Sequence, residues 1–204
     1  MRHTPHFLLD DVAEVKRLIT ENPWATIVSH TSKGLVASHY PVVLEATGDD
    51  EITIVSHVGR PDEEAHELGG HEVLVIVQGP HGYISPGWYP AEQIIPTWNH
   101  VTAHLYGVPE ILSDDENFRV LGELVDHFEK PMPTPVSLQL DEEVARRVAK
   151  GTVGLRLRVT RFDARAKLSQ NKSPEVVATI IDALENGDRY AHPALAAEMR
   201  RVRE

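Results

Sequence analysis

The alternation of apolar and polar positions along the chain predicts antiparallel strands, with helices inserted between them and added at the end. Alternation or short apolar runs typical of strands occupy residues 25–30, 35–44, 52–57, 73–78, 101–108 and 155–159. Helical spacing occupies residues 10–21, 61–68, 113–128, 141–150 and 174–184, and a last helix begins at Pro193. This order does not suit βαβ alternation. It favours a mainly β fold of the α+β class, an open or closed antiparallel barrel with helices packed outside.

Local signals place the starts of two helices. Ser113 with Glu116 forms a capping box, and the predicted buried stripe of the helix that follows comprises Phe118, Leu121, Leu124, Val125 and Phe128. Ser173 is a typical N-cap, because Pro174 stands at the first helical position after it.

Aromatic residues and prolines are concentrated in residues 79–100. These 22 residues hold two of the three tryptophans, two of the five tyrosines and four of the fourteen prolines. Aromatic side chains on an ordinary surface loop would stay in water and gain no free energy of burial. Such a loop therefore does not explain why they are concentrated here. The segment is either a buried corner of the barrel or the wall of a pocket for a flat ring.

Charge is spread unevenly over a net value of −11. Residues 1–145 carry 7 basic and 24 acidic side chains, whereas residues 146–204 carry 13 and 7. Nine of those basic residues lie within Arg146–Lys172, beside a single acid, Asp163. This run is either a solvated face that balances an acidic body or an anion site.

Composition excludes several classes of site and protein. The chain has no cysteine, which excludes disulfides and thiolate chemistry and fits a cytoplasmic protein. We find neither a signal-peptide core in the first 20 residues nor an apolar run that could span a bilayer, and expect no membrane association. His100 and His104 lie about 13 Å apart on a predicted strand, too far to share one metal ion, so we expect no metal.

A pocket for a phosphorylated flat ring has candidate groups of every required kind. Candidate walls are Tyr83, Trp88, Trp98 and Tyr106; candidate amides are Gln78, Asn99, Gln170 and Asn171; candidate anion donors are Arg60, Lys167, Ser169 and Lys172. Structural explanations compete for each group. Trp98 and Tyr106 would serve equally as core residues, Arg60 as a turn cap, and residues 167–172 as a solvated loop.

At these residues the sequence resembles the PaiB-type FMN-binding negative transcriptional regulators, which are similar to the split-barrel flavoproteins. The most specific piece is the run from Gly79 to Tyr89. Other pieces that carry the resemblance are Ala37-Ser38-His39-Tyr40-Pro41, Ser56-His57-Val58-Gly59-Arg60, Pro96-Thr97-Trp98-Asn99-His100 and Lys167-Leu168-Ser169-Gln170-Asn171-Lys172. They occur in the family's order, and the resemblance runs nearly from end to end.

The resemblance implies a split barrel over residues 1–170, a helical extension over 171–204 that packs on the barrel or on a partner, and a homodimer with FMN at the subunit interface. The cofactor-binding set that it implies is His39, Ser56, His57, Arg60, Tyr83, Ser85, Trp98, Asn99, Lys167, Ser169 and Gln170. His57 or His100 is the candidate for proton handling in an FMN-dependent oxidoreductase.

One place departs from the family pattern. An asparagine–proline turn is expected after the arginine, but the segment reads Arg60-Pro61-Asp62-Glu63-Glu64. Acids beside Arg60 would weaken phosphate binding there, which keeps a flavin-free interaction module open as an alternative. A direct DNA-binding repressor is a further alternative, although residues 1–145 are strongly acidic and no helix-turn-helix is visible.

Overall fold

The structure is a computed structural model that describes residues 4–90 and 95–203. Its strands are β1 Trp24–Thr31, β2 Gly34–Leu44, β3 Thr53–Gly59, β4 Val73–Ile84, β5 Thr97–Gly107, β6 Glu110–Ile111, β7 Thr152–Arg158 and β8 Arg161–Lys167. Its helices are α1 Val12–Glu21, α2 Arg60–His66, α3 Asp114–Glu129, α4 Glu142–Ala149, α5 Pro174–Asn186 and α6 Pro193–Arg201. The strands follow the order β6-β7-β3-β2-β1-β4-β5-β8. The predicted mainly β fold with helices is confirmed.

Several strands differ from the sequence expectation, and the two-residue strand β6 was not predicted. β4 continues to Ile84 through Gly79 and Pro80, and β5 begins at Thr97, so much of the aromatic stretch is strand rather than turn. Pro80 lacks an N–H donor, and the alternating burial of β4 slips by one residue at Pro80 and His81 before it resumes at Gly82. β8 was not predicted, because its basic residues hide the apolar pattern of buried Ala164 and Ala166.

The helix starts follow the local signals. The capping box of Ser113 and Glu116 is present, and the Ser173 side chain accepts a hydrogen bond from the Val176 N–H. The predicted stripe of α3 is wrong in part, because its buried residues are Asn117, Val120 and Leu124, while Phe128 is 41% exposed.

Asn117 takes a core position on α3 because its amide finds backbone partners. Its Nδ2 donates to the carbonyl oxygens of Ala149 and Thr152 at 3.4 and 3.3 Å. On β7, Gly154 leaves room for it, since a Cβ there would lie 2.9 Å from the Asn117 Cα. Hydrogen bonding and close approach therefore turn this face of α3 inward, a choice that an apolar pattern cannot reveal.

Internal contacts divide the chain into two units. The α5–α6 unit comprises residues 1–10, 78–103 and 163–204, and the α1–α4 unit comprises residues 11–77 and 104–162. Fully buried side chains in the α5–α6 unit include Leu168, Ile180, Leu184, Leu195 and Met199. The α1–α4 unit has a core cluster of Val43, Val55, Leu112, Val120 and Leu124. The domain boundary after residue 170 stays a prediction.

Two kinds of functional feature are absent from the described ranges. None of the helices in residues 4–90 and 95–203 combines the length and the apolarity needed to cross a membrane. Within the same ranges, no three histidine, aspartate or glutamate side chains are grouped as they would be around a metal ion.

Candidate functional site

The predicted site residues are distributed over both units. His39, Ser56, His57 and Arg60 belong to the α1–α4 unit. Tyr83, Ser85, Trp98, Asn99, His100, Lys167, Ser169 and Gln170 belong to the α5–α6 unit.

The α5–α6 unit has a cavity of about 270 Å³ at the start of β5 and the end of β8. It is lined by Phe7, Tyr89, Ile95, Pro96, Thr97, Asn99, Lys167, Ser169, Asn171 and Lys172. Two of these side chains are ammonium groups, and none of the described lining residues is acidic. The chemistry of this donor set fits an anionic group.

Lys167 is held in place at the cavity by β5. Its Nζ donates to the Trp98 carbonyl oxygen at 2.8 Å and to the Thr97 Oγ1. Burial lowers the pKa of Lys167 below its ordinary value. Both bonds are to neutral oxygens, so the positive charge of this ammonium is not cancelled by a carboxylate in these bonds.

Buried polar groups support the same cavity. Asn99 is fully buried, and its Nδ2 donates to the Ser169 Oγ at 2.9 Å. Ser169 adopts the left-handed region, with φ of 61°. This conformation is uncommon for a residue other than glycine, and such strain is concentrated at functional sites. The structure brings Asn99, Lys167 and Ser169 together, and their binding of a cofactor stays a prediction.

Gln170 makes its side-chain hydrogen bonds to nearby backbone groups. Its side chain accepts a hydrogen bond from the Leu168 N–H at 2.7 Å and donates to the Ala166 carbonyl oxygen. It therefore holds the backbone of the strained turn and is not among the lining residues. Ser85 is also a local cap, since its Oγ accepts from the Gly87 N–H at 3.2 Å.

The hydroxyl group of Tyr89, one of the lining residues, is a candidate partner for a bound polar group. Its hydroxyl is buried and has no hydrogen-bond partner within the described ranges. The ammonium of Lys172 lies 5.0 Å from the centre of its ring. An unpaired buried hydroxyl costs about 1–3 kcal/mol, which a bound polar group could offset.

Three tyrosine and tryptophan rings form a cluster in the same unit. Tyr83 lies 6.1 Å from Trp98 and 5.1 Å from Tyr190, measured between ring centres. Trp98 is 56% exposed, so the alternative of a core tryptophan is excluded. The three rings offer aromatic surface on which a flat molecule could stack.

Tyr190 was missed by sequence reasoning. It lies between α5 and α6, is 61% exposed and has a φ of 61°. An aromatic residue beside Gly187 and Asp188, in a short connection between two helices, was the available signal.

His100 has the environment of a neutral imidazole. Burial lowers its pKa first, followed by the charge of Lys167, so the uncharged ring is favoured. Its Nδ1 lies 3.3 Å from the Thr102 Oγ1. The imidazole could accept a proton, but it is not among the residues that line the cavity.

In the α1–α4 unit, three predicted residues lie on β2 and β3. Ser56 is fully buried, and its hydroxyl donates to the Pro41 carbonyl oxygen at 2.6 Å, which is a bond between strands. His39 is exposed and stacks on Trp24, with 6.5 Å between ring centres. His57 lines a separate apolar cavity, and burial lowers its pKa.

Arg60 already has protein partners. Its Nε donates to the Lys150 carbonyl oxygen at 2.6 Å, and its terminal nitrogens lie 3.5 Å from Asp114 and 4.0 Å from Glu63. Asp62 turns elsewhere and accepts from the Tyr40 hydroxyl at 2.5 Å. The role of Arg60 as a phosphate ligand stays a prediction. A phosphate would compete with Asp114 and Glu63 for its guanidinium group.

Most arginines of the basic run have acidic partners. Arg156 pairs with Glu45 through two nitrogens, at 2.7 and 3.0 Å. Arg146 pairs with Glu142 and Asp115, Arg161 with Glu72, and Arg165 with Asp163. In α6, Arg200 pairs with Glu185 and Arg201 with Glu198. These paired arginines are better explained as a solvated, charge-balanced face than as an anion site.

Solved structures of flavin proteins resemble this fold. The flavocytochrome Anf3 from Azotobacter vinelandii matches with a TM-score of 0.63 at 14% identity, covering 87% of this chain and 78% of that chain. The FAD and heme binding protein from Mycobacterium smegmatis matches with a TM-score of 0.57 at 19% identity, covering 81% and 76%. The likeness confirms the split-barrel fold class.

Sequence comparison identifies the family. The family model described as "Putative FMN-binding domain" matches residues 1–161. Protease synthase and sporulation protein PAI 2 of Bacillus subtilis is 32% identical over 184 residues, which cover 89% of this chain and 87% of the relative. The chain therefore belongs to the FMN-binding domain family, the PaiB-type group that the sequence motifs indicate.

Proposed function

We propose that this protein is a flavin-binding regulator in which the cavity of the α5–α6 unit holds the anionic end of FMN. The observation that carries the proposal is a cavity with two lysine ammonium groups, no acid among its described lining residues, and an unpartnered buried hydroxyl at Tyr89. A volume of about 270 Å³ is below the range of roughly 300–1,000 Å³ usual for whole ligands. The cavity is therefore suited to part of FMN.

Each group of the α5–α6 unit has a role in this proposal. Lys167 and Lys172 supply positive charge, and the Asn99–Ser169 pair fixes the shape of the turn that presents them. Tyr83, Trp98 and Tyr190 offer a stacking surface. When bound, FMN would supply electron transfer, and the neutral imidazole of His100 could accept a proton.

Titration of the purified protein with FMN tests the proposal. Binding should quench flavin fluorescence and shift the visible absorption bands, with a dissociation constant in the micromolar range or below. Micromolar affinity corresponds to about −8 kcal/mol, which a few charge-assisted hydrogen bonds plus ring burial can supply. If calorimetry and fluorescence both show no binding at any reachable FMN concentration, the alternative of a flavin-free interaction module replaces it.

A regulatory role is proposed from the relative's name, protease synthase and sporulation protein. We infer that regulation does not come from direct contact with duplex DNA. Arg146, Arg200 and Arg201 each pair with an acid, so they cannot neutralise phosphates without giving up those partners.

A binding assay with random-sequence duplex DNA over a range of salt concentrations tests this inference. We expect no binding, or weak binding with little dependence on salt, because few phosphates would be neutralised. Tight binding that falls steeply as salt rises would contradict the inference and support a DNA-binding repressor.

We propose that the protein is a homodimer, with FMN at the subunit interface as the family resemblance implies. In the α1–α4 unit, one face of β1, β2 and β4 carries no aspartate, glutamate, lysine or arginine side chain. By register and alternation the residues on this face are Trp24, Thr26, Val28, His30, Leu35, Ala37, His39, Pro41, Leu74 and Ile76. Trp24 and Leu35 are 63% and 77% exposed. A contiguous face of this kind is typical of a protein–protein interface.

Two separate alanine-to-glutamate variants, one within β2 and one just after it, test whether this face forms the dimer interface. Ala37→Glu places a carboxylate in the middle of this face and should convert the dimer to a monomer, because the charge would be desolvated at the interface. Ala46→Glu, another exposed alanine just after β2, is the matched control and should remain dimeric. Light scattering at several concentrations measures both variants; a wild-type monomer, or a dimer unaffected by Ala37→Glu, contradicts the proposal.

A further inference from the structure

The α1–α4 unit contains a second cavity, with a volume of about 470 Å³. Helices α3 and α4, the short helical turn Leu138–Asp141 between them, and strands β3 and β7 supply its lining. The lining residues are His57, Leu121, Val125, Ser137, Leu138, Leu140, Asp141, Val144, Ala145, Val148, Ala149 and Thr152. The volume lies within the range of roughly 300–1,000 Å³ that is usual for small-molecule sites.

Exposed apolar side chains surround the mouth of this cavity. Leu140 is 77% exposed, Val148 is 68% exposed and Val144 is 40% exposed, and all three belong to the lining. These residues gain little from folding, since they stay in water. A ligand that covers these side chains would remove them from water, which folding of the chain alone does not do.

Asp141 and His57 are the ionisable groups among the described lining residues. Asp141 is exposed and accepts a hydrogen bond from the Val144 N–H at 3.1 Å, which makes it the N-cap of α4. His57 is largely buried among apolar groups, and this burial lowers its pKa, so its ring is uncharged near neutral pH. None of the described lining residues is a lysine or an arginine, so these residues offer an anionic ligand no counter-charge.

A described lining that is mostly apolar and carries few charges selects for a ligand that is mostly hydrocarbon and uncharged.

We propose that this cavity is a binding site for an uncharged, predominantly apolar small molecule. The inference does not require FMN, because none of its residues lines the cavity of the α5–α6 unit. Through such a site, a small molecule other than the flavin could regulate the protein.

The probe for the test is N-phenyl-1-naphthylamine, an uncharged aromatic amine whose fluorescence rises in apolar surroundings. It should bind the full-length protein saturably, with one molecule per chain. Leu140→Glu should weaken binding by about tenfold or more, because a carboxylate at the mouth would have to be desolvated. Ala145→Trp should abolish binding by filling the cavity.

The matched control is Val136→Glu. Val136 is 52% exposed on the same segment but is not part of the lining, so its variant should bind the probe within about twofold of the wild type. Leu140 and Val136 are both exposed, so neither substitution should prevent folding, and circular dichroism verifies this. Equal loss in both variants would show non-specific adsorption and overturn the proposal.

Competition with FMN separates this site from the flavin site. Saturating FMN should leave the binding of the probe unchanged. If FMN displaces the probe and Leu140→Glu weakens both ligands, this cavity is the flavin site, and the proposal of a separate small-molecule site is wrong. If the wild type does not bind FMN but binds the probe with the expected variant pattern, the proposed function fails and this inference stands.

Discussion

Substitution of Lys167 by methionine is expected to weaken FMN binding by about 10- to 150-fold, the equivalent of one charge-assisted hydrogen bond of about 1.5–3 kcal/mol. Methionine keeps the length and apolar stem of the side chain but removes the ammonium. The lost charge is the one held by the Trp98 carbonyl oxygen at the edge of the cavity. Fluorescence titration with FMN, at fixed ionic strength, measures the change.

Lys130→Met is the matched control for this experiment. Lys130 is an exposed residue at the end of α3, outside the cavity, and its variant should bind FMN as the wild type does. The comparison removes any effect of net charge, because both variants lose one positive charge. Equal affinity of the Lys167 variant and the control would show that the α5–α6 cavity does not hold the anionic end of FMN.

Arg60→Ala asks the same question of the other predicted phosphate ligand. Arg60 already contacts the Lys150 carbonyl oxygen, Asp114 and Glu63, so we expect a smaller loss of FMN affinity than for Lys167→Met. A loss larger than that of Lys167→Met would return the phosphate to Arg60, as the family resemblance implies.

Substitution of Gly107 by alanine should lower the free energy of unfolding by about 3 kcal/mol, which is at the upper end of the usual cost of overpacking. Gly107 is buried at the end of β5, and a Cβ there would lie 2.5 Å from the Arg158 carbonyl oxygen and 2.9 Å from the Leu157 Cδ1. Relief would require movement of β7 backbone. Urea unfolding followed by circular dichroism measures the loss.

Gly122→Ala is the paired control for glycine replacement. Gly122 lies inside α3, and a Cβ there would meet no atom within 4 Å. Alanine should therefore stabilise the protein by up to about 1 kcal/mol, since glycine is unfavourable within a helix. If both variants change stability in the same direction and by similar amounts, close packing around Gly107 is not what restricts that position.

Much of the fold could be predicted because the spacing of apolar residues and the helix-capping residues both depend only on the local sequence. The Ser113 capping box and the Ser173 cap are present where the sequence places them. Strand β8 was missed because Arg161 and Arg165 interrupt its apolar pattern, although Arg165 is buried and pairs with Asp163. Ion pairs between residues distant in sequence, such as Arg156 with Glu45, cannot be read from spacing.

The candidate site was predicted in part, for similar reasons. Asn99, Lys167 and Ser169 meet at one cavity, as the motifs indicate. The function of Gln170 as a backbone brace depends on the turn geometry, which the sequence does not specify. Tyr190 and the cavity beside His57 depend on how loops and helices pack, and no periodic pattern reports that packing.

Hydrogen–deuterium exchange with and without FMN tests the location of the flavin most directly. Bound FMN should protect backbone amides in residues 95–99 and 167–172, because these segments supply most of the described lining of the α5–α6 cavity. Protection there, together with quenched flavin fluorescence, is the result that we predict. Quenched fluorescence with unchanged exchange in both segments would contradict the assignment of FMN to this cavity.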